Sequence, residues 1–257
     1  MIPAVLLCLD LDGTLIDGAL GPVLPGAIAA IALLRGRGVP LRFVTNTTSK
    51  SRRSLVDHLS GLGLLASPSE LVTPSLAARQ VMVPRGHTTG ILIVDPPVRE
   101  DFAWFEERPD GAAVLLGTEG HDMRIANLQV AFRRILDGAA FYTLQRNRYF
   151  RKGAELVTDL GPVAAFLGCA GGREAELLGK PSPLLFDALA AGAGVARHEI
   201  VMVGDDAELD VAACVALGMR GVLVRTGKYR AGDEARVRPA PTAVLDSIEE
   251  LPAFLDV

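Results

Sequence analysis

Short apolar runs alternate along this chain with stretches of helical periodicity, and that alternation is the strongest constraint on its fold. Residues 4–9 are almost unbroken in their apolarity, as expected of a parallel strand buried on both faces. From Gly26 a helical stretch puts Ala27, Ile31 and Leu34 on one side. Residues 41–45 read as the next strand, and Ser51 as the cap of a helix whose Leu55, Leu59 and Leu62 share a face. The middle of the chain keeps the rhythm, with strands expected at 90–94, 112–116 and 140–144 and helices near 98–106 and 123–136. The last third resumes it with strands near 200–203, 222–225 and 243–245 and helices near 183–191 and 208–217. A final helix opens on Ser247 and Glu250 at capping-box spacing. The expected class is α/β with a parallel sheet.

With 257 residues, 49% of them hydrophobic, the chain can bury a core of one large domain or two modest ones, which excludes a disordered protein. The longest uncharged stretch, 18–34, is broken by Pro22 and Pro25 and is shorter than the roughly 20 apolar residues a membrane span needs. The opening residues carry no basic segment, and Asp10 and Asp12 would interrupt a secretory signal. Cys8, Cys169 and Cys214 are too scattered for a disulfide framework or metal knuckle, so the reducing cytoplasm is the expected compartment. A net charge of −4 argues against a nucleic-acid partner, and no membrane partner is expected. Among 26 basic residues only Lys50, Lys152, Lys180 and Lys228 are lysines, so a lysine in a suggestive setting asks for a reason.

Several phosphate-loop motifs almost occur. Gly221 to Gly227-Lys228 has one residue too many for a P-loop, and Tyr229 stands where Ser or Thr belongs. Gly192-Ala193-Gly194 does not open a helix after a strand, so it is no dinucleotide fingerprint. The four histidines are scattered, which removes a zinc site.

The first strand ends in Asp10-Leu11-Asp12-Gly13-Thr14, where two carboxylates can converge beyond the carboxyl edge of the sheet. Alone, this would read first as an Asp-Gly turn after a buried strand. The pattern recurs at Gly204-Asp205-Asp206, with Asp210 about one helical turn on, and the strand at 41–44 ends in Thr45-Asn46. Gly179-Lys180-Pro181 opens a helix with one of the rare lysines. Four polar clusters at strand and helix edges make coincidence a poor explanation.

Together these motifs resemble those of the haloacid dehalogenase superfamily. The insert between the second and third motifs resembles the α/β, C2-type cap of its NagD-like group. The phrases Gly179-Lys180-Pro181-Ser182-Pro183 and Arg225-Thr226-Gly227-Lys228-Tyr229 are most similar to the branch of phospholysine phosphohistidine inorganic pyrophosphate phosphatase. The resemblance implies a Rossmann-like core formed by residues 1–78 and 179–257, with the cap at 79–178. It implies a Mg2+-dependent phosphatase acting on a small phosphorylated compound through an aspartyl-phosphate, with a phosphotransferase or mutase as the alternative enzyme and a non-catalytic phosphate-binding module as the alternative outside enzymes. Asp10 would be the nucleophile and Asp12 the general acid and base. Asp10, the backbone carbonyl of Asp12 and Asp205 would bind the metal. Thr45, Asn46 and Lys180 would hold the phosphate, with Asp206 and Asp210 as supporting carboxylates whose relative weight stays open. Asp210 alone also reads as an ordinary first-turn helix carboxylate. Some relatives dimerise, so a homodimer is compatible with the resemblance.

Specificity would fall to the middle segment, because the core motifs handle only the phosphoryl group. Its most suggestive stretch is Arg146, Arg148, Arg151 and Lys152 interleaved with Tyr149 and Phe150, which reads either as a grip on an anionic leaving group or as a solvated basic hairpin.

Overall fold

The computed structural model describes residues 6–18, 20–117, 125–152 and 155–256. It divides the chain into two compact units: residues 1–45, 53–72 and 183–257 form the first, and residues 46–52 and 73–182 the second.

The first unit is built on a six-stranded sheet. Its strands are β1 (Leu6–Leu9), β2 (Leu41–Val44), β3 (Leu71–Val72), β11 (Ile200–Gly204), β12 (Arg220–Val224) and β13 (Ala243–Leu245). All pairings are parallel in the order β13-β12-β11-β1-β2-β3. Every residue of β1 and β11 is buried, which is why both read as solid apolar runs rather than alternating ones. Ala4 and Val5, expected to open the first strand, lie outside the described residues. Leu7, Leu9, Val201 and Val203 pack with Ile31 and Leu34 of α1 (Ala27–Gly36) and with Leu55 and Leu59 of α2 (Arg52–Gly61).

The expected helix at 208–217 is instead a π-helical turn, Ala207–Ala212, that runs into the short α-helix Ala213–Ala216. Such turns bulge the backbone and are frequent at functional sites. The expected strand at 222–225 begins earlier, at Arg220, which pairs with Val201. The final helix opens as a 3-10 turn, and its cap differs from a true box. Ser247 Oγ accepts from Glu249 N–H, while the Glu250 carboxylate reaches back to Asp246 N–H. A complete box forms instead at Ser67 and Glu70.

The second unit has a five-stranded parallel sheet in the order β10-β7-β6-β4-β5 and a separate hairpin. The sheet strands are β4 (Thr89–Val94), β5 (Glu106–Glu107), β6 (Ala113–Gly117), β7 (Ala140–Thr143) and β10 (Glu176–Leu177), and the hairpin pairs β8 (Tyr149–Lys152) with β9 (Glu155–Thr158). The helix expected at 98–106 is a 3-10 segment, Pro96–Phe102, followed by edge strand β5. Pro96 and Pro97 open the segment at positions where a missing N–H costs no intrahelical bond, and Val98 and Phe102 reach the core. Of the helix expected at 123–136, Met123 and Arg124 lie outside the described residues and Ile125–Leu136 is helical. Ser51 stands immediately before α2. The first helical N–H, that of Arg52, is held by the Asp101 carboxylate at 3.0 and 3.2 Å.

Candidate active site

The carboxyl ends of β1 and β11 carry the acidic residues. Asp10 follows β1 directly, and its backbone N–H donates to Val203 O at 2.9 Å, which locks it to the neighbouring strand. Its carboxylate is buried and accepts from Thr14 Oγ1 at 3.3 Å. Beyond it the chain leaves the strand, so the nearness of Asp12 to Asp10 comes from a turn rather than from strand alternation. Leu11 O accepts from the N–H groups of Leu15 and Ile16, and Gly13 N–H donates to Ile16 O. Asp12 is exposed but crowded by protein. Lost hydration pushes its carboxyl above the usual range and the Asp10 charge adds to this, against the opposing Gly18 N–H at 2.8 Å.

Asp205, at the end of β11, is 1% exposed. Its Oδ2 accepts from Lys228 N–H at 2.6 Å, whereas its Oδ1 is buried with no hydrogen-bond partner. Carboxylate oxygens of Asp10, Asp205 and Asp210 lie within 4.8 Å of one another. Two like charges at such a range repel by about 4 kcal/mol at an effective dielectric near 20. Burial first, and then the charges of Asp10 and Asp210, push the Asp205 carboxyl up to about 8.

Asp206 and Asp210 have different surroundings. Asp206 caps the π-helical turn, accepting from the N–H groups of Glu208 at 3.1 Å and Leu209 at 2.9 Å. Asp210 is 4% exposed and belongs to the acidic cluster. It reaches the strand end because Gly204 has no side chain: a Cβ there would lie 2.4 Å from Asp210 Oδ2.

The loop after β12, given no site role from the sequence, lies against the acidic residues. Gly13 at φ +84° and Gly227 at φ +56° press their backbones against Asp205; an added Cβ would fall 2.1 Å and 1.9 Å from its Oδ2. Thr226 Oγ1 donates to Gly13 O at 2.5 Å and ties the two loops together. The Lys228 ammonium lies 3.6 Å from Asp206 Oδ2. Burial pulls its pKa down, but Asp206, Asp210, Asp205 and Asp10 together outweigh that and hold it above the usual lysine value. The scarcity of lysine and the phrase Arg225–Tyr229 were the signals for this residue.

Thr45, buried after β2, belongs to the first unit, and its N–H donates to Val72 O at 3.2 Å. Asn46 and Lys180 belong to the second. There the Asn46 amide clasps the Lys180 backbone, with Nδ2 donating to Lys180 O at 2.9 Å and Lys180 N–H donating to Oδ1 at 2.8 Å. Two residues of the basic stretch, Arg146 and Arg148, make contacts within their own unit. Arg146 donates to Ala175 O, and the Arg148 guanidinium lies 5.8 Å from the Tyr149 ring centre. The side chains of Arg151 and Lys152 lie outside what the structure describes.

The clustered oxygens of Asp10, Asp205 and Asp210 fit a hard divalent cation such as Mg2+, because an all-oxygen set suits it and the orphaned Oδ1 of Asp205 is a buried acceptor in want of a positive partner. Among the described residues no helix is long and apolar enough to cross a membrane, and none of Cys8, Cys169 and Cys214 forms a disulfide.

Comparison with known proteins gives a consistent result. A model described as haloacid dehalogenase-like hydrolase matches residues 7–104, and a HAD-hydrolase-like model matches 177–251. The chain is 37% identical over 239 residues to haloacid dehalogenase-like hydrolase domain-containing protein 2 of Homo sapiens, covering 93% of this chain and 90% of that one. It is 34% identical over 246 residues to phospholysine phosphohistidine inorganic pyrophosphate phosphatase of Bos taurus, covering 94% and 90%. Among solved structures, a 4-nitrophenylphosphatase of Thermotoga maritima superposes with a TM-score of 0.87 at 25% identity, over 97% of this chain and 96% of that one. NagD of E. coli shares the fold, with a TM-score of 0.84 at 22% identity over 97% and 98% of the two chains.

Proposed function

The chain belongs to the haloacid dehalogenase-like hydrolases, and we propose that it is a Mg2+-dependent phosphatase of their NagD-like group, acting on a small phosphorylated substrate through an aspartyl-phosphate on Asp10. The observation that carries this reading is the buried cluster of Asp10, Asp205 and Asp210, with Asp205 Oδ1 left without a protein partner.

In the proposed reaction an Asp10 carboxylate oxygen attacks phosphorus, and the bond to the leaving oxygen breaks. Asp12, whose raised pKa keeps its proton available nearer neutral pH, donates that proton to the leaving oxygen. It then takes a proton from the water that attacks the phosphoryl group on Asp10, which releases inorganic phosphate and restores both carboxyl groups. The hydroxyl of Thr45, the backbone N–H of Asn46 and the ammonium of Lys180 are assigned to the non-bridging phosphate oxygens. Asp10, the backbone carbonyl of Asp12 and Asp205 would hold the metal, with Asp210 completing its acidic surroundings. When bound, Mg2+ supplies the divalent charge that lets an anionic nucleophile approach an anionic phosphate.

The substrate class comprises phosphate monoesters, pyrophosphate and phosphoramidates, in keeping with the names of the relatives. Cysteine usage supports the cytoplasm as the working compartment. The deciding experiment compares wild type with Asp10→Asn on p-nitrophenyl phosphate and a panel of phosphorylated compounds, with Mg2+ and with EDTA. The expected result is Mg2+-dependent turnover that Asp10→Asn abolishes. Equal turnover by the variant, with contaminants excluded, would sink the mechanism.

A further inference from the structure

Lys228 serves two carboxylates with two different groups: its backbone N–H holds Asp205 Oδ2 at 2.6 Å, and its ammonium lies 3.6 Å from Asp206 Oδ2. Its side chain is 53% exposed, so packing does not confine the ammonium, and a lysine stem gains rotamer entropy by moving into water. A field must therefore favour the inward position. The pocket provides it, with oxygens of Asp10, Asp205 and Asp210 within 4.8 Å of one another and Asp206 beside them. The neighbouring cation on the same loop is already committed, since Arg225 pairs with Asp246 at 2.8 Å and with Glu234 at 3.3 Å.

We propose that Lys228 is a resident counter-cation of this pocket, offsetting its clustered carboxylates in the metal-free protein and competing with the divalent ion for them. The inference rests on the reading of Asp10 and Asp205 as metal ligands and adds to it a residue that sets how tightly the metal is held. Its sign follows from charge alone. A positive group beside a cation site disfavours a second positive charge, and whatever stabilises the metal-free state more than the loaded one lowers affinity. The backbone N–H of residue 228, which orients Asp205, is untouched by changing the side chain, so charge and positioning can be separated.

The test is calorimetric titration of Mg2+ into wild type, Lys228→Met, Lys228→Arg and Asp205→Asn, with thermal melts of each metal-free protein. Lys228→Met should bind Mg2+ about fivefold tighter than wild type, as expected for loss of a partly screened cation. Its metal-free form should melt about 2 °C lower. Lys228→Arg should match wild type, and added KCl should narrow the gap between wild type and Lys228→Met. Equal or weaker Mg2+ binding by Lys228→Met, or a metal-free melt at or above that of wild type, overturns the proposal. Wild type that binds no Mg2+ removes the metal reading and this proposal together. Wild type that binds, Asp205→Asn that does not, and Lys228→Met indistinguishable from wild type leave the metal reading standing and remove only the role of the lysine.

Discussion

Asn46 and Lys180 are joined by two reciprocal hydrogen bonds, from Nδ2 to the lysine carbonyl at 2.9 Å and from the lysine N–H to Oδ1 at 2.8 Å. The amide of one motif thus fixes the backbone from which the rare lysine of another extends. Only an amide side chain offers a donor and an acceptor in this arrangement.

Asn46→Asp keeps the acceptor but sets a carboxylate oxygen against the Lys180 carbonyl, and Asn46→Ala leaves both backbone groups without their partner. Each should cost about 1 kcal/mol of stability in chemical denaturation. Each should also reduce kcat on p-nitrophenyl phosphate by about tenfold or more, because a displaced lysine no longer meets the developing charge.

Gly13→Ala and Gly227→Ala should both impair Mg2+ binding. In each case the new Cβ would fall within 2.1 Å of Asp205 Oδ2 at a positive φ, and the clash turns the Asp205 carboxylate away from the cluster. The backbone strain should cost about 1–2 kcal/mol. Mg2+ titrations and urea denaturation of the two variants measure the two effects separately.

Asp206→Ala and Asp210→Asn should separate stability from metal affinity. Loss of the Asp206 cap should lower stability by about 1 kcal/mol. Asp210→Asn removes a carboxylate from the acidic cluster and should weaken Mg2+ binding by about tenfold to a hundredfold. Paired calorimetric titrations and melts of the two proteins check this.

The metal-free protein should lose stability as pH rises. Asp205 titrates at about 8 when folded against an ordinary value of 3.8, so between those values the folded state holds a proton that the unfolded chain has released. The folded-state contribution is complete below about pH 4 and disappears as pH passes about 8. Melting temperatures of EDTA-treated protein should therefore fall across that window. Saturating Mg2+ should flatten the slope, since it favours the ionised carboxylates. A metal-free melting temperature that climbs through the window would contradict the assignment.

The α/β class and the acidic motifs were legible because β1 and β11 are buried throughout and end in carboxylates, which the sequence displays as apolar runs closed by aspartate. Strand β3, only Leu71–Val72, is too short for periodicity to register. The expected helix at 98–106 stops early because Glu106–Glu107 joins β4 as an edge strand, a long-range pairing that apolar spacing does not display. The different surroundings of Asp206 and Asp210 depend on a capping turn that their one-letter pattern does not encode. The approach of Gly227 and Lys228 to Asp205 joins segments that no local spacing relates.

The pairing of Leu9 with Val203 has a consequence for biogenesis. Strand β1, which leads into Asp10, is made before its neighbour β11, which follows only after the whole segment 73–182 has been made. In that segment β4 pairs with β5 and β6, and β6 with β7, all near one another along the chain, so its sheet can close from local contacts while the first unit still waits. During synthesis the apolar edge of β1 that β11 will cover is therefore open to chaperones or to other nascent chains. The acidic cluster forms as one late event, when the segment that begins with β11 brings Asp205 and Asp210 to Asp10.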